Sequence, residues 1–261
     1  MRSLEEALVS LDIGVFNKIH SQTTPNDKRS LLACQSAVRE IIGQYAYLEI
    51  GSYVGGSLQP HVLDERCETI ISIDKRPQAA ADERGFEQIY LNNTSEFMLD
   101  NLSQLSKEGT EKIVCIDADS SEIKADRIDP HPDLCFIDGE HTDSAAWRDF
   151  KFCYEVLSEN GAVIFHDSMI VYNALSRIIG FLHDSGEEFK AYNLPDNVFV
   201  IEIGEFPLHR FPVISEMLVN NHIGYLSALK YSDQYRRFAN RSVFRALRNL
   251  KLKFTKANVT E

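Results

Sequence analysis

Two short stretches concentrate the residues best suited to chemistry. In "LCFIDGEHTD" (134–143) and "GAVIFHDSM" (161–169) an apolar run ends on an aspartate, Asp138 in the first and Asp167 in the second. Neighbouring parallel strands lie about 4.8 Å apart, so two carboxylates at their carboxyl ends can reach one cation. Carboxylates that close repel one another, and a hard divalent ion with oxygen ligands relieves the repulsion, which makes Mg2+ the first expectation. His141 follows Asp138 by three residues. A neutral imidazole there can take a hydroxyl proton near pH 7, so His141 is the candidate general base. Glu140 is read either as a solvated carboxylate or as a substrate contact.

A second cluster lies upstream. "YLEIGSYVGGS" (47–57) is an apolar run that passes into Gly51, Gly55, Gly56 and Ser57, and glycines at such a turn let backbone amides approach a ligand. The spacing G-x-x-x-G-G differs from the dinucleotide fingerprint G-x-G-x-x-G. Glu49 precedes the first glycine by two residues, where an acid suits a ligand carrying an amino group or a positive sulfonium. The next strand, in "IISIDKRP", ends on Asp74, at an interval from Gly51 that suits hydrogen bonds to a ribose diol.

These residues resemble the class I S-adenosylmethionine-dependent methyltransferases, whose first motif is acid-x-Gly-x-x-x-Gly and whose second strand ends in a ribose-binding acid. The resemblance spans about residues 45–204. It implies an α/β fold with a doubly wound, mostly parallel seven-stranded sheet of Rossmann-like type. It also implies a donor held by Glu49, Gly51, Ser52, Gly55, Gly56, Ser57 and Asp74. In "CIDADSSEI" (115–123) Asp119 and Ser120 would lie beside the adenine, with Asp117 in place of Asp119 if the register slips by two.

The carboxylate pair is similar to that of the metal-dependent O-methyltransferases of the catechol and macrocin-like sugar types. That similarity implies Asp138 and Asp167 as metal ligands, with the third drawn from Ser168 or His166, and a catalytic centre of Asp138 and His141. The implied reaction is divalent-assisted methyl transfer from S-adenosylmethionine to a hydroxyl of a small molecule or sugar. Two other readings use the same scaffold: an NAD-type oxidoreductase, against which the missing G-x-G-x-x-G argues, and a non-catalytic scaffold protein that keeps the cofactor pocket.

Strands and helices must position these groups. Apolar runs at Tyr45–Ile50, Thr69–Ile73, Lys112–Ile116, Leu134–Ile137 and Ala162–Phe165 alternate with helical stretches, the signature of βαβ units. "FKAYNLPDNVFVIEIG" adds two runs around a Leu-Pro-Asp-Asn turn, an antiparallel pair that would finish the sheet. Thr24 and Pro25 signal a helix start, Asn93 or Thr94 another, and Thr142–Ser144 a third; the last is expected to end at "ENG", with Gly161 in the C′ position.

The domain reading is an N-terminal helical layer at 1–44, a cofactor-binding domain at 45–204 and a helical extension at 205–261. At 44% hydrophobic and 25% charged, the composition is that of a soluble globular chain. No eighteen-residue apolar stretch and no basic leader is visible, so a cytoplasmic location is expected. The five cysteines form no CxxC pair and read as reduced thiols.

Residues 1–229 hold 18 Lys/Arg against 37 Asp/Glu, while 230–261 hold 9 against 2. The acidic body would repel nucleic acid. In the tail, Arg237, Arg241, Arg245 and Arg248 recur at helical spacing. Such a basic amphipathic helix could dock on the acidic body, contact an anionic membrane surface or bind a protein partner. A homo-oligomer is also compatible with the sequence.

Overall fold

The computed structural model describes residues 3–76, 82–83, 85 and 90–239. Its strands are β1 (Tyr45–Ile50), β2 (Cys67–Ile73), β3 (Ile113–Ile116), β4 (Leu134–Ile137), β5 (Gly161–Phe165), β6 (Phe189–Asn193), β7 (Phe199–Ile203) and β8 (Asn220–Asn221). The α-helices are α1 (Leu4–Ser10), α2 (Pro25–Ile42), α3 (Gln59–Val62), α4 (Ser95–Ser103), α5 (Lys107–Glu111), α6 (Asp143–Val156), α7 (Tyr172–Asp184), α8 (Pro212–Met217) and α9 (His222–Ala239). The chain divides into two compact units, the first Met1–His222 and the second beginning at Ile223. Everything below concerns the first.

One sheet runs in the order β3-β2-β1-β4-β5-β7-β6-β8. Strands β1 to β5 pair in parallel, and β7 pairs antiparallel with both β5 and β6. The expected fold class and the closing antiparallel pair are therefore present, with eight strands in place of seven. The additional strand, β8, is a two-residue pairing of Asn220 and Asn221 with β6, too short to leave a periodic signal. Strands β1, β4, β5 and β7 are buried along their whole length, as expected of a sheet covered on both faces.

The helix starts follow local chemistry. The Thr24 hydroxyl accepts the Asp27 N–H while the Asp27 carboxylate accepts the Thr24 N–H, a capping box, with Pro25 in the first turn. Thr94 and Thr142 cap α4 and α6 in the same way with their hydroxyls. Gly161 is not a helix C′ residue; it opens β5, and a Cβ there would meet the Asp133 carbonyl at 2.8 Å. Its missing side chain serves strand packing. Phe206, Leu208 and Ile214, beyond the last long strand, pack into the main core.

Four of the cysteines are buried, Cys115 is half-buried, and all are free. Among the described residues no helix is long and apolar enough to cross a membrane. Arg241, Arg245 and Arg248 lie outside the described residues, as does the Arg237 side chain.

Candidate active site

The sheet reverses direction of winding between β1 and β4, and the crevice outside their carboxyl ends is where α/β folds place ligands. A cleft of about 270 Å³ opens there. Gly51, directly after β1, has φ 97°, and a Cβ on it would collide with the Asp138 carbonyl. The amide of Asp138 in turn donates to the Ile50 carbonyl at 2.9 Å. The glycine thus lets the first loop and the end of β4 meet, which brings the two sequence clusters into one cleft.

Gly51, Ser52, Gly56 and Ser57 line the cleft, whereas Gly55 and Glu49 do not. Gly55 (φ 87°) packs on Leu102 and Met98. Glu49 is fully buried beneath the loop, accepting hydrogen bonds from the Tyr47 hydroxyl at 2.7 Å and the Ser57 hydroxyl at 2.6 Å. Burial pushes its carboxyl up to about 7, with the two hydroxyl donors working in the opposite direction.

Asp74, at the end of β2, lines the cleft and accepts the Tyr53 N–H at 2.8 Å. Burial raises its pKa against the pull of Arg76. Asp119 and Ser120 line the cleft; Asp117 does not, and pairs with Arg76 at 3.1 Å. Arg148 and Lys75, the two lysine or arginine side chains among the described lining residues, lie 3.1 and 3.4 Å from Asp119. With eight aspartates and glutamates in its lining, the cleft complements a cation.

Asp138, His141 and Asp167 line the same cleft. One ligand atom from each lies within 4.8 Å of the others. The Nε2 of His141 is 3.6 Å from Asp138 and 3.2 Å from Asp167. The Nδ1 of His166 is 2.9 Å from Asp138 and 3.5 Å from Asp167.

Burial disfavours charge on Asp138, but the two imidazoles outweigh it, His166 most strongly, and bring its carboxyl down to about 2. Burial likewise lowers both histidines, and the facing carboxylates overcome it, so His141 is raised and His166 is raised well above the ordinary imidazole value. The spacing and the donor set fit a hard divalent cation bound through carboxylate oxygens and one imidazole.

The Ser168 hydroxyl has a partner on another loop. Asp167 adopts a left-handed φ of 47°, and the turn sends the Ser168 hydroxyl to the Asn197 carbonyl at 2.7 Å, fully buried. Two imidazoles stand within reach of the carboxylate pair, His141 and His166, and His141 is the one whose ligand atom forms a mutually close group of three with it.

Residues 48–168 match the family model described as a methyltransferase domain. The match covers somewhat less than half of the chain. An uncharacterized protein of Acanthamoeba polyphaga mimivirus is 26% identical over 123 residues, 46% of this chain and 50% of that protein. The match thus spans half of the curated relative's length. Among solved structures, a putative caffeoyl-CoA O-methyltransferase from Staphylococcus aureus superposes with TM-score 0.50 at 16% identity, covering 78% of this chain and 92% of that one. The cofactor-bound protein Rv0187 from MTB gives 0.51 at 11% identity, covering 77% and 88%. The calicheamicin methyltransferase CalS11 gives 0.50 at 13% identity, covering 77% and 92%. At these identities the likeness concerns the fold.

Several residues lining the cleft have no motif of their own. Residues His20 to Thr24 form one wall, ahead of the matched domain. Buried Gln59 fastens the preceding turn: its carbonyl accepts the Lys18 and Ile19 amides at 3.1 and 3.0 Å, and its amide donates to the Phe16, Ile19 and Gly56 carbonyls at 3.0, 3.0 and 2.8 Å. Gly56 lacks the Cβ that would strike the His20 carbonyl. Tyr90 also faces the cleft, its phenol pushed up to about 12 by burial and by Asp138, Asp167 and Asp74. A wall built from a distant segment has no spacing signature, so nothing in the sequence singles out His20.

Proposed function

We propose that this protein is an S-adenosylmethionine-dependent O-methyltransferase acting on a hydroxyl of a small molecule or sugar, assisted by a divalent cation, with Mg2+ the first choice. The observation that carries the reading is the Asp138–His141–Asp167 cluster, whose ligand atoms lie within 4.8 Å of one another in the same cleft as the glycine loop and Asp74. When bound, S-adenosylmethionine supplies an electrophilic methyl group on a sulfonium, and the cation supplies positive charge beside the acceptor oxygen.

The chain's own residues do the rest. Gly51 and Gly56 keep the loop backbone open to the donor, Asp74 accepts hydrogen bonds from its ribose, and Asp119 and Ser120 border its base. Glu49 acts from beneath by holding Ser57. Asp138 and Asp167 hold the cation. A cation held by that pair would offset the charge that keeps a proton on His141, and the His141 Nε2 would then be able to accept the acceptor's hydroxyl proton. The acceptor oxygen then bonds to the methyl carbon as the carbon–sulfur bond breaks, and the electron pair goes to sulfur.

The spacing of the cluster favours a second role for His141, as third ligand in place of general base. One set of measurements tests both. Calorimetry with S-adenosylhomocysteine and with Mn2+ is followed by methyl-transfer assays over hydroxylated acceptors with Mg2+ or with chelator. Asp167→Asn is expected to lose Mn2+ binding and keep S-adenosylhomocysteine binding. His141→Gln is expected to keep Mn2+ affinity with a rate about 100-fold lower or more if the residue is the base, and to lose affinity if it is a ligand. Failure of the unaltered protein to bind S-adenosylhomocysteine, or Mn2+ binding indifferent to Asp167→Asn, overturns the reading.

A further inference from the structure

We infer that Asp27, in the first turn of α2 and outside the matched domain, is a positioning residue for the Asp138–Asp167 pair, acting through His166. The inference rests on the proposed role of that pair as cation ligands.

Asp27 is a fully buried carboxylate, and such a group is retained only where partners replace its water. Its Oδ2 accepts the Thr24 N–H at 3.0 Å, which completes the helix cap. Capping alone needs no more than this, and an exposed carboxylate would do it. Two further contacts go unexplained by capping. Oδ1 accepts the Asn197 N–H at 3.0 Å, and Oδ2 stands 3.2 Å from the Nε2 of His166.

The other nitrogen of the same ring, Nδ1, faces Asp138 and Asp167 at 2.9 and 3.5 Å. His166 is thus pinned at both ends, with its inner edge set between the two carboxylates. Asn197 closes the arrangement, since its carbonyl accepts from the Ser168 hydroxyl directly after Asp167. One carboxylate on the N-terminal helix therefore fixes the ring that spaces the pair and the turn that braces the end of β5. Without it the imidazole keeps a single anchor and can turn about its Cβ–Cγ bond, and Asp138 and Asp167 lose their common neighbour. Partners one shell removed from a metal's ligands orient those ligands.

The test uses the full chain with Asp27→Asn, His166→Gln and the double variant, each checked by thermal unfolding. Mn2+ affinity of Asp27→Asn is expected to fall about tenfold, with S-adenosylhomocysteine affinity within about twofold of the unaltered protein. Because Asp27 acts through His166, the double variant should bind Mn2+ no more weakly than His166→Gln alone. A metal-free reading comes from the ring resonances of His166 by NMR, expected to be sharp and single in the unaltered protein and broadened or doubled in Asp27→Asn.

Unchanged Mn2+ affinity, additive losses, or unchanged His166 resonances in Asp27→Asn would overturn the inference. If the unaltered protein binds no Mn2+, the cation reading fails by itself, and the His166 resonances still decide whether Asp27 holds the ring. If Asp27→Asn does not fold, His166→Gln, which leaves the cap of α2 intact, reads the link from the other side. Full Mn2+ affinity in that variant overturns the inference.

Discussion

Glu49→Gln should make the protein more stable at pH 8 while leaving it nearly unchanged at pH 4.5. Burial moves the Glu49 carboxyl from 4.5 to about 7. The folded state therefore holds a proton that the unfolded chain releases at lower pH, so this group's contribution is fully present below pH 4.5 and is lost as pH rises through 7. At 1.36 kcal/mol per pH unit, the loss amounts to about 3 kcal/mol above pH 7. Glutamine carries no charge to desolvate, and its carbonyl can still accept from Tyr47, whose hydroxyl lies 2.7 Å away. Urea unfolding from pH 4.5 to 8, with chelator present, measures the difference. Chelator matters because the Asp138 charge also helps to hold the proton on Glu49, and a cation bound there would weaken the effect. Parallel pH profiles for the two proteins would refute the reasoning, since they would mean that Glu49 is ionised in the fold without penalty.

Two further substitutions probe the loop and the second strand. Gly51→Ala places a side chain at φ 97° against the Asp138 carbonyl; the strain of about 1–3 kcal/mol should lower the melting temperature and weaken Mn2+ binding with it, and a native melting curve would show that the close approach is unimportant. Asp74→Asn removes a buried carboxylate whose ionised form is penalised, so stability at pH 7 should not fall. Its S-adenosylhomocysteine affinity should drop about tenfold or more as a charge-assisted hydrogen bond is lost, and an unchanged affinity would remove Asp74 from the ribose site.

Much of the fold was legible because its signals are local. The all-buried runs of β1, β4 and β5 are continuous apolar stretches, and the caps of α2, α4 and α6 are hydroxyls one residue ahead of the first turn. The strand-end acids Asp74, Asp138 and Asp167 stood out for the same reason, since a chain that leaves a buried strand on a carboxylate places it at the sheet edge. Gly161 misled because a glycine after a helical stretch carries the same letter whether it ends the helix or opens the next strand. What decides is the Asp133 carbonyl packed against it.

The sequence by itself determined that a parallel sheet would present a glycine loop and several acids at one edge, because period, burial and chain direction are properties of neighbouring residues. Only the tertiary structure decided how those acids are partnered. The left-handed turn at Asp167 sends Ser168 to Asn197, and the side chains that face the carboxylate pair are two imidazoles, His141 and His166. Asp27 meets His166 across a separation of 139 residues, and His20–Thr24 close over a loop that follows them by some thirty positions. No pattern within a segment encodes such meetings; they arise when separate faces pack and each buried charge must find its partner there.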